Sequence, residues 1–600
     1  MKNRLLGFAL LFCTTSALAA APEIHYSLSM SSPQTHLFEV TVELKHVSAD
    51  SVTDFILPVW RPGRYIILDL ANGVQEFSAE SGGHTLRWMK TDKSTWEVES
   101  GGSSELTIHY KVYANEFGTR TRGLNDLHAF VDESAVFMYA EKYRSLPVSL
   151  TVHPYKNWHI TTGLEAEGPN SFVAPDYDYF IDCPLEIGNQ KDFQFRVDGV
   201  PHVLSMYGEG NWNADTLIRD VSKIVKAEKE FWGTFPYKRF VFLVECDPNF
   251  GGGTEHLNSA EIQFPPFVFR NKSSYQGFVL NTFAHELFHT WNVKRLRPKG
   301  IHPYDFTKEN YSHELWIAEG TTSYYADLIM ARAGFTPVSD VLSHIGSEVS
   351  SDRNRPGNSL ESVAEASFDA WIESGKGQQQ LYNASADIYE RGANVSCILD
   401  LEIRQQTGNK RSLDDVMREM YQRYPLDVAG YTLVDFQHVI AELTGWDCTR
   451  FFDEYIYGTK PLPWDDAVSH AGLAIACTDT AARAWMGVSV YDAGGSTKVG
   501  SIVAGSPAYQ TGLDVGDELL AFNDYRVRAS SFGDRIGEMK PGDKVMLTVF
   551  HDDQLRSIPV TLGTAPRMSY TVSQVQNPTD LQKLTFESWL GMKWKEPEKK

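Results

Sequence analysis

Cysteine is scarce in this sequence: six among 600 residues, none spaced as the CxxC of a metal knuckle. Long apolar runs are missing too. After the N-terminus nothing approaches the roughly 18 unbroken apolar residues of a membrane span, so no later segment is expected to cross a bilayer. Positive charge is the third shortage, with 55 Lys and Arg against 77 Asp and Glu and a formal charge of -22. Such a surface argues against nucleic acid and anionic membranes as partners and favours solubility. No period of about 20 to 50 residues recurs, which gives no indication of a repeat architecture.

What is present begins with "MKNRLLGFALLFCTTSALAA". Lys2 and Arg4 precede an apolar run from Leu5 to Cys13 and the small-residue pattern Ala17, Leu18, Ala19, which predicts a secretory signal peptide over residues 1–20. Phe12, before Cys13, is too bulky for a lipoprotein cleavage signal, so the expectation is a soluble exported protein, periplasmic or secreted. Loss of Lys2 and Arg4 takes the formal charge from -22 to -24. The mature chain keeps Cys183, Cys246, Cys397, Cys448 and Cys477, an odd set that leaves at least one unpaired. A Cys448–Cys477 disulfide is expected from their short separation and an oxidising compartment.

With 42% hydrophobic and 22% charged residues the composition is globular, and 600 residues are too many for one core. A multidomain α+β chain is predicted. Residues 21–200 alternate in short segments such as "HLFEVTVELKHV" and "ELTIHYKVYA" between glycine and serine turns, the pattern of a β-sandwich or related sheet with no obvious chemistry of its own. Over 201–480 the spacing becomes helical: "ADTLIRDVSKIVKAEKEFWGTF" places Leu217, Val221, Ile224, Val225 and Ala227 near one face, ahead of the strand "RFVFLVEC". Strands and glycine turns return over 481–566. A tail over 567–600 holds a short amphipathic helix that Thr579 can cap.

The chemistry starts in "NTFAHELFHTWNVKRLRP", residues 281–298. On a helix, His285 and His289 share one face and can hold one metal ion. Glu286, about 100° away from His285, is placed to take a proton from water rather than to ligate. By chance alone an HExxH string arises in a chain of this length on the order of a few per cent of the time, so the flanks matter. Phe283, Ala284, Leu287, Phe288 and Trp291 supply apolar surface, and Pro298 ends the helix at the latest. Lys294, Arg295 and Arg297 read as favourable charge at a helix C-terminus. A catalytic zinc needs a third protein ligand, and Glu319 in "ELWIAEGTTSYYADLIMARAG" is the candidate, on a second helix that buries Trp316, Tyr324 and Leu328. A glutamate among Trp316, Ile317 and Ala318 is costly to bury without a cation.

Together, "HELFHTWNVKRLRP" and "LWIAEGTTSYY" resemble the glycyl aminopeptidase family of zinc metallopeptidases, metallopeptidase family sixty-one. The likeness extends to "LPVWRPGRYIILDLA" at 57–71, similar to the family's β-rich N-terminal domain, and to a C-terminal PDZ domain. It implies a thermolysin-like, mainly helical catalytic domain and one zinc ion per chain, held by His285, His289 and Glu319. In "NFGGGTEHLNSAEIQF" the resemblance gives Glu255 the role of gripping the substrate's free α-amine, and the strand that follows could pair with an extended peptide. A hairpin turn with a solvated glutamate is the plainer alternative. Tyr389, in a Tyr-Glu-Arg-Gly string resembling the Tyr-Glu-Lys-Gly of related zinc aminopeptidases, is implied to stabilise the oxyanion, the alternative being a tyrosine packed at a helix start. His256 belongs to the same family-like string without an assigned role.

The resemblance implies removal of small N-terminal residues, glycine or alanine, from peptides. In "SPAYQTGLDVGDELLAFND", Ala508 and Leu513 support a short helix and turn, and Gly516 with Asp517 precede a strand, while "WMGVSV" stands for the carboxylate-binding loop. Such a module can capture a peptide C-terminus or serve as a structural appendage. A zinc endopeptidase and a non-enzymatic, chaperone-like peptide binder remain as alternatives.

Overall fold

Alternation sets the first sheet. In β2 (Leu37–Lys45) Phe38, Val40, Val42 and Leu44 are buried while the residues between them face outward, the half-buried pattern of an antiparallel strand. With β1 (Glu23–Ser29), β3 (Glu105–Tyr113) and β4 (Val148–His153) it forms the centre of an eight-stranded sheet in the order β4-β1-β2-β3, parallel only between β4 and β1. The computed structural model describes residues 21–47, 50–373, 378–478, 482–567 and 569–595, so the expected signal peptide lies outside the described residues.

A second sheet carries the chemistry. Its order is β5 (Lys191–Val197), β6 (Val200–Tyr207), β7 (Phe240–Cys246), β9 (Ser259–Phe264) and β8 (Gly252–Glu255). Residue 200, where the sequence suggests a division, lies in the β5–β6 hairpin, and β6 pairs in parallel with β7. Helix α1 (Ala214–Trp232) makes the β6–β7 crossover. The Asn213 side chain caps it on Thr216 N–H, and Gly233 ends it at φ 87°. Its face buries Leu217, Val221, Ile224 and Val225 as the spacing predicts, with Ala227 only half-buried.

The helical body follows. Helix α2 (Asn281–Phe288) packs on α3 (Thr321–Arg332), and α3 on α5 (Glu390–Gln406), with α4 (Val338–Asn354) also against α5. One apolar cluster runs from the N-terminal sheets through this body, whereas the C-terminal module has its own around Met486, Val499, Leu519, Phe522 and Leu547. There Ala508 and Leu513 are buried, and Gly516 and Asp517 precede the strand Glu518–Phe522.

That module sits between two strands that pair with each other, β10 (Leu473–Cys477) and β12 (Tyr570–Gln574); its first long strand, β11 (Val488–Ala493), packs near helix α6 (Ala529–Gly537). After β12, helix α7 (Asp580–Leu590) has the expected Thr579 cap, reciprocated by the Gln582 side chain. It is no free tail. Phe586, Trp589 and Leu590 are buried, Trp589 donates its indole N–H to Tyr324 Oη at 2.8 Å, and Arg332 donates to the Trp589 carbonyl. The expected Cys448–Cys477 bridge is not formed: Cys448 is an unpaired thiol directed at the Gln437 carbonyl, in a site closed around it. Among the described residues no helix is long and apolar enough to cross a membrane.

Candidate metal centre and substrate cleft

His285 and His289 lie one turn apart, their Nε2 atoms 2.9 Å from each other. Glu319 Oε2 lies 3.4 Å from Nε2 of His289 and 3.8 Å from that of His285. Glu319 is carried on a widened π-type turn, Trp316–Gly320, which leads directly into α3 and resets the register so that a buried carboxylate faces α2.

Each donor is held from behind. Nδ1 of His289 is 3.0 Å from the Asn292 carbonyl, so its N–H donates there and leaves the Nε2 lone pair toward the shared point. The Ser323 hydroxyl lies 3.5 Å from His285 Nδ1. Tyr65 donates its hydroxyl to Glu319 Oε1 at 2.8 Å, which leaves Oε2 free. Two imidazole lone pairs and a carboxylate converging in a buried place repel one another unless a cation stands between them. The donor set fits one tetrahedral divalent ion with a position open to solvent or substrate. The electrostatics agree with such a set: although burial opposes both shifts, the Glu319 carboxylate raises His289, and the imidazoles hold Glu319 well below the usual carboxylate range.

The helix stops earlier than Pro298. It ends at Phe288, and Val293 adopts φ 91° in the turn that follows. The turn brings the Asn292 amide to the Ile317 carbonyl at 2.8 Å and the Thr322 hydroxyl at 2.9 Å, bolting the two ligand-bearing segments together. The basic run is consequently not a solvated helix end. Lys294 is fully buried and donates to Asp182 at 2.6 Å; Asp182 also meets His256 Nδ1 at 3.1 Å and accepts from Leu257 N–H. Burial alone raises a carboxyl, yet Lys294 and His256 hold Asp182 at about 2. Arg295 donates to the Leu257 and Thr290 carbonyls, and the Arg297 guanidinium lies 3.9 Å from the Tyr304 ring centre. These residues pin the N-terminal domain, the end of β8 and the turn after His289 into one unit. Removing one partner of such a buried pair costs about 3–5 kcal/mol. Lys294→Met is therefore expected to lower the thermal midpoint in calorimetry by several degrees, and an unchanged midpoint would remove the pair from this role.

Glu286 is buried, and burial pushes its carboxyl up to about 7, with Glu255 adding to the rise and the two imidazoles opposing it. Glu255, Glu286 and His289 each offer an atom within 4.8 Å of the others'. Glu255 ends β8, so it is on a strand rather than in a solvated turn, and β8 is the edge of its sheet. The strand that can take an extended peptide is thus the one carrying Glu255; the following strand, β9, is enclosed between β7 and β8. Gly253 passes so close to Glu286 that any Cβ there would collide with its side chain.

The N-terminal domain does carry chemistry, contrary to the sequence expectation. Besides Tyr65, it supplies Gly63, whose φ of 81° suits glycine and whose Cβ position would lie 2.6 Å from Glu255 Oε2. Arg120 donates to Thr254 Oγ1 at 3.0 Å and to the Gly251 carbonyl at 3.2 Å, steadying β8. No spacing rule reaches these residues, because Tyr65 and Glu319 are 254 positions apart. Tyr389, just before α5, lies across the cleft with its ring centre 6.4 Å from that of His285. At 44% exposure it is not packed away. Desolvation within the cleft, reinforced by Glu319, Glu255 and Glu286, raises its hydroxyl well above the usual tyrosine value, so it is a hydrogen-bond donor.

Three family profiles match in chain order: the Peptidase M61 N-terminal domain over residues 25–189, M61 glycyl aminopeptidase over 278–395, and a PDZ domain over 484–562. The chain belongs to the M61 glycyl aminopeptidase family. This M61 member is a hydrolytic peptidase. Its fold is similar to that of an aminopeptidase N family protein from Idiomarina loihiensis, at TM-score 0.88 and 25% identity over 94% of this chain and 100% of that one. An M1 zinc metallopeptidase from Deinococcus radiodurans matches at TM-score 0.46 and 13% identity, over 74% and 95% of the two chains. Legionella pneumophila aminopeptidase A matches at 0.46 and 12%, over 73% and 49%. Among curated proteins, none matches the sequence.

Proposed function

We propose that this peptidase is an exported, zinc-dependent aminopeptidase that removes small N-terminal residues, glycine or alanine, from peptides. The observation that carries the reading is the convergence of a three-donor point with two further buried glutamates, one of them closing a sheet-edge strand. His285, His289 and Glu319 would hold one zinc ion, which when bound acidifies water and polarises a carbonyl. Glu255 takes the substrate's ammonium group, and the β8 edge aligns the backbone behind it. Only the first peptide carbonyl then reaches the cleft. Glu286 removes a proton from the attacking water as its oxygen bonds to the carbonyl carbon, and passes that proton to the nitrogen as the C–N bond breaks. The Tyr389 hydroxyl donates to the oxygen on which negative charge develops. Preference for glycine or alanine and an exported location are supported by family membership and by the N-terminal sequence. The groove between β11 and α6, beside the Trp485–Val488 loop, is the proposed seat for a peptide C-terminus.

The test is hydrolysis of glycyl and alanyl arylamides by purified protein before and after chelation. Activity should vanish with the metal and return with about one equivalent of zinc per chain. Activity that survives complete metal removal would overturn the reading.

A further inference from the structure

A cavity of about 350 Å³ opens beside the metal centre, lined by α3, α4, α5 and α7 with Thr336 and Trp464, and by no residue of β8 or the N-terminal sheets. It shares two residues with the centre, Ser323 behind His285 and Tyr389 across from it. If Glu255 fixes the amine at the end of β8, the peptide beyond the first carbonyl leaves on the opposite flank, past Tyr389 and into this mouth. We propose that the cavity receives the side chain of the substrate's second residue and selects a long aliphatic chain ending in a cation, lysine or arginine. The assignment of the second residue rests on the aminopeptidase reading.

The walls match that chemistry. Leu328, Val341 and Ile345 give an apolar run along α3 and α4, suited to the methylenes of a long side chain. Three carboxylates stand around it: Asp327, Glu348 and Glu390. Asp327 is already satisfied by His344 at 2.9 Å and by the Asn281 amide. Glu348 and Glu390 are not so closely matched. Their cations, His344 and Arg355, lie 4.0 and 3.9 Å away, beyond direct hydrogen bonding. Burial pushes Glu348 up to about 7, as expected of a carboxyl without a close cationic partner. A lysine or arginine head beside it supplies that partner. A glutamate at the same position would face Glu348 and Glu390, with His344 already engaged by Asp327.

The experiment compares kcat/KM for tripeptides with alanine first and lysine, leucine, glutamate or alanine second, in the wild type, Glu348→Gln and Val341→Trp. The wild type should prefer lysine over glutamate by roughly tenfold or more. Glu348→Gln should shrink that ratio several-fold, and Val341→Trp, which fills the cavity, should penalise lysine and leucine more than an alanine second residue. Removal of the first alanine without discrimination at the second position, or parallel losses on all peptides in both variants, would overturn the pocket assignment and leave the aminopeptidase reading standing. Cleavage that ignores a free N-terminus would overturn both.

Discussion

Glu286→Gln should lower kcat by roughly 10²–10⁴-fold, the range for losing a positioned general base, with the metal retained. The substitution keeps the shape and hydrogen-bonding capacity of the side chain but cannot accept or return a proton. Glu286 lies outside the three-donor cluster formed by His285, His289 and Glu319, so the ion should remain at its wild-type stoichiometry. Steady-state kinetics with metal analysis of the same sample decides the matter. A variant with more than a tenth of wild-type activity would assign the proton transfer elsewhere, and one that has lost its metal would show that Glu286 acts on the site's assembly.

The second large effect is at Glu255. Glu255→Gln should reduce kcat/KM for free-amine substrates by roughly 10²–10³-fold, the consequence of leaving a buried ammonium without its charge-assisted partner. Because Gly63 fits against this carboxylate with no room for a Cβ, the N-terminal domain helps to fix where the ammonium can sit. An unchanged kcat/KM would remove Glu255 from the site.

How far the sequence shows this depends on the range over which each feature acts. Local patterns translate directly: the alternation of "LFEVTVELK", the α1 face, the Thr579 cap and the His285–His289 spacing depend on neighbours within a few residues. Glu319 was legible because an acidic residue among Trp316, Ile317 and Ala318 is unusual. The supporting contacts were not legible. Tyr65 reaches Glu319, and Lys294 reaches Asp182, only after separate domains have packed, and no periodicity encodes that. In sequence, Lys294, Arg295 and Arg297 read as favourable charge at a helix C-terminus. Here the helix had already stopped at Phe288, and the fold needed those cations inside. The strand after Glu255 reads as the one able to pair with a peptide because Ser-Ala-Glu-Ile-Gln-Phe is the stronger strand former, and only its parallel pairing with β7 makes it internal and leaves β8 at the edge.

The central claim is that a metal-dependent site is registered on the substrate's free amine, so that it cuts after the first residue. The most direct measurement is mass analysis of the products from one alanine-led peptide offered in two forms, free and N-acetylated. The account predicts release of the first alanine from the free peptide and no cleavage of the acetylated one. Internal cleavage of the acetylated peptide at a comparable rate would contradict it.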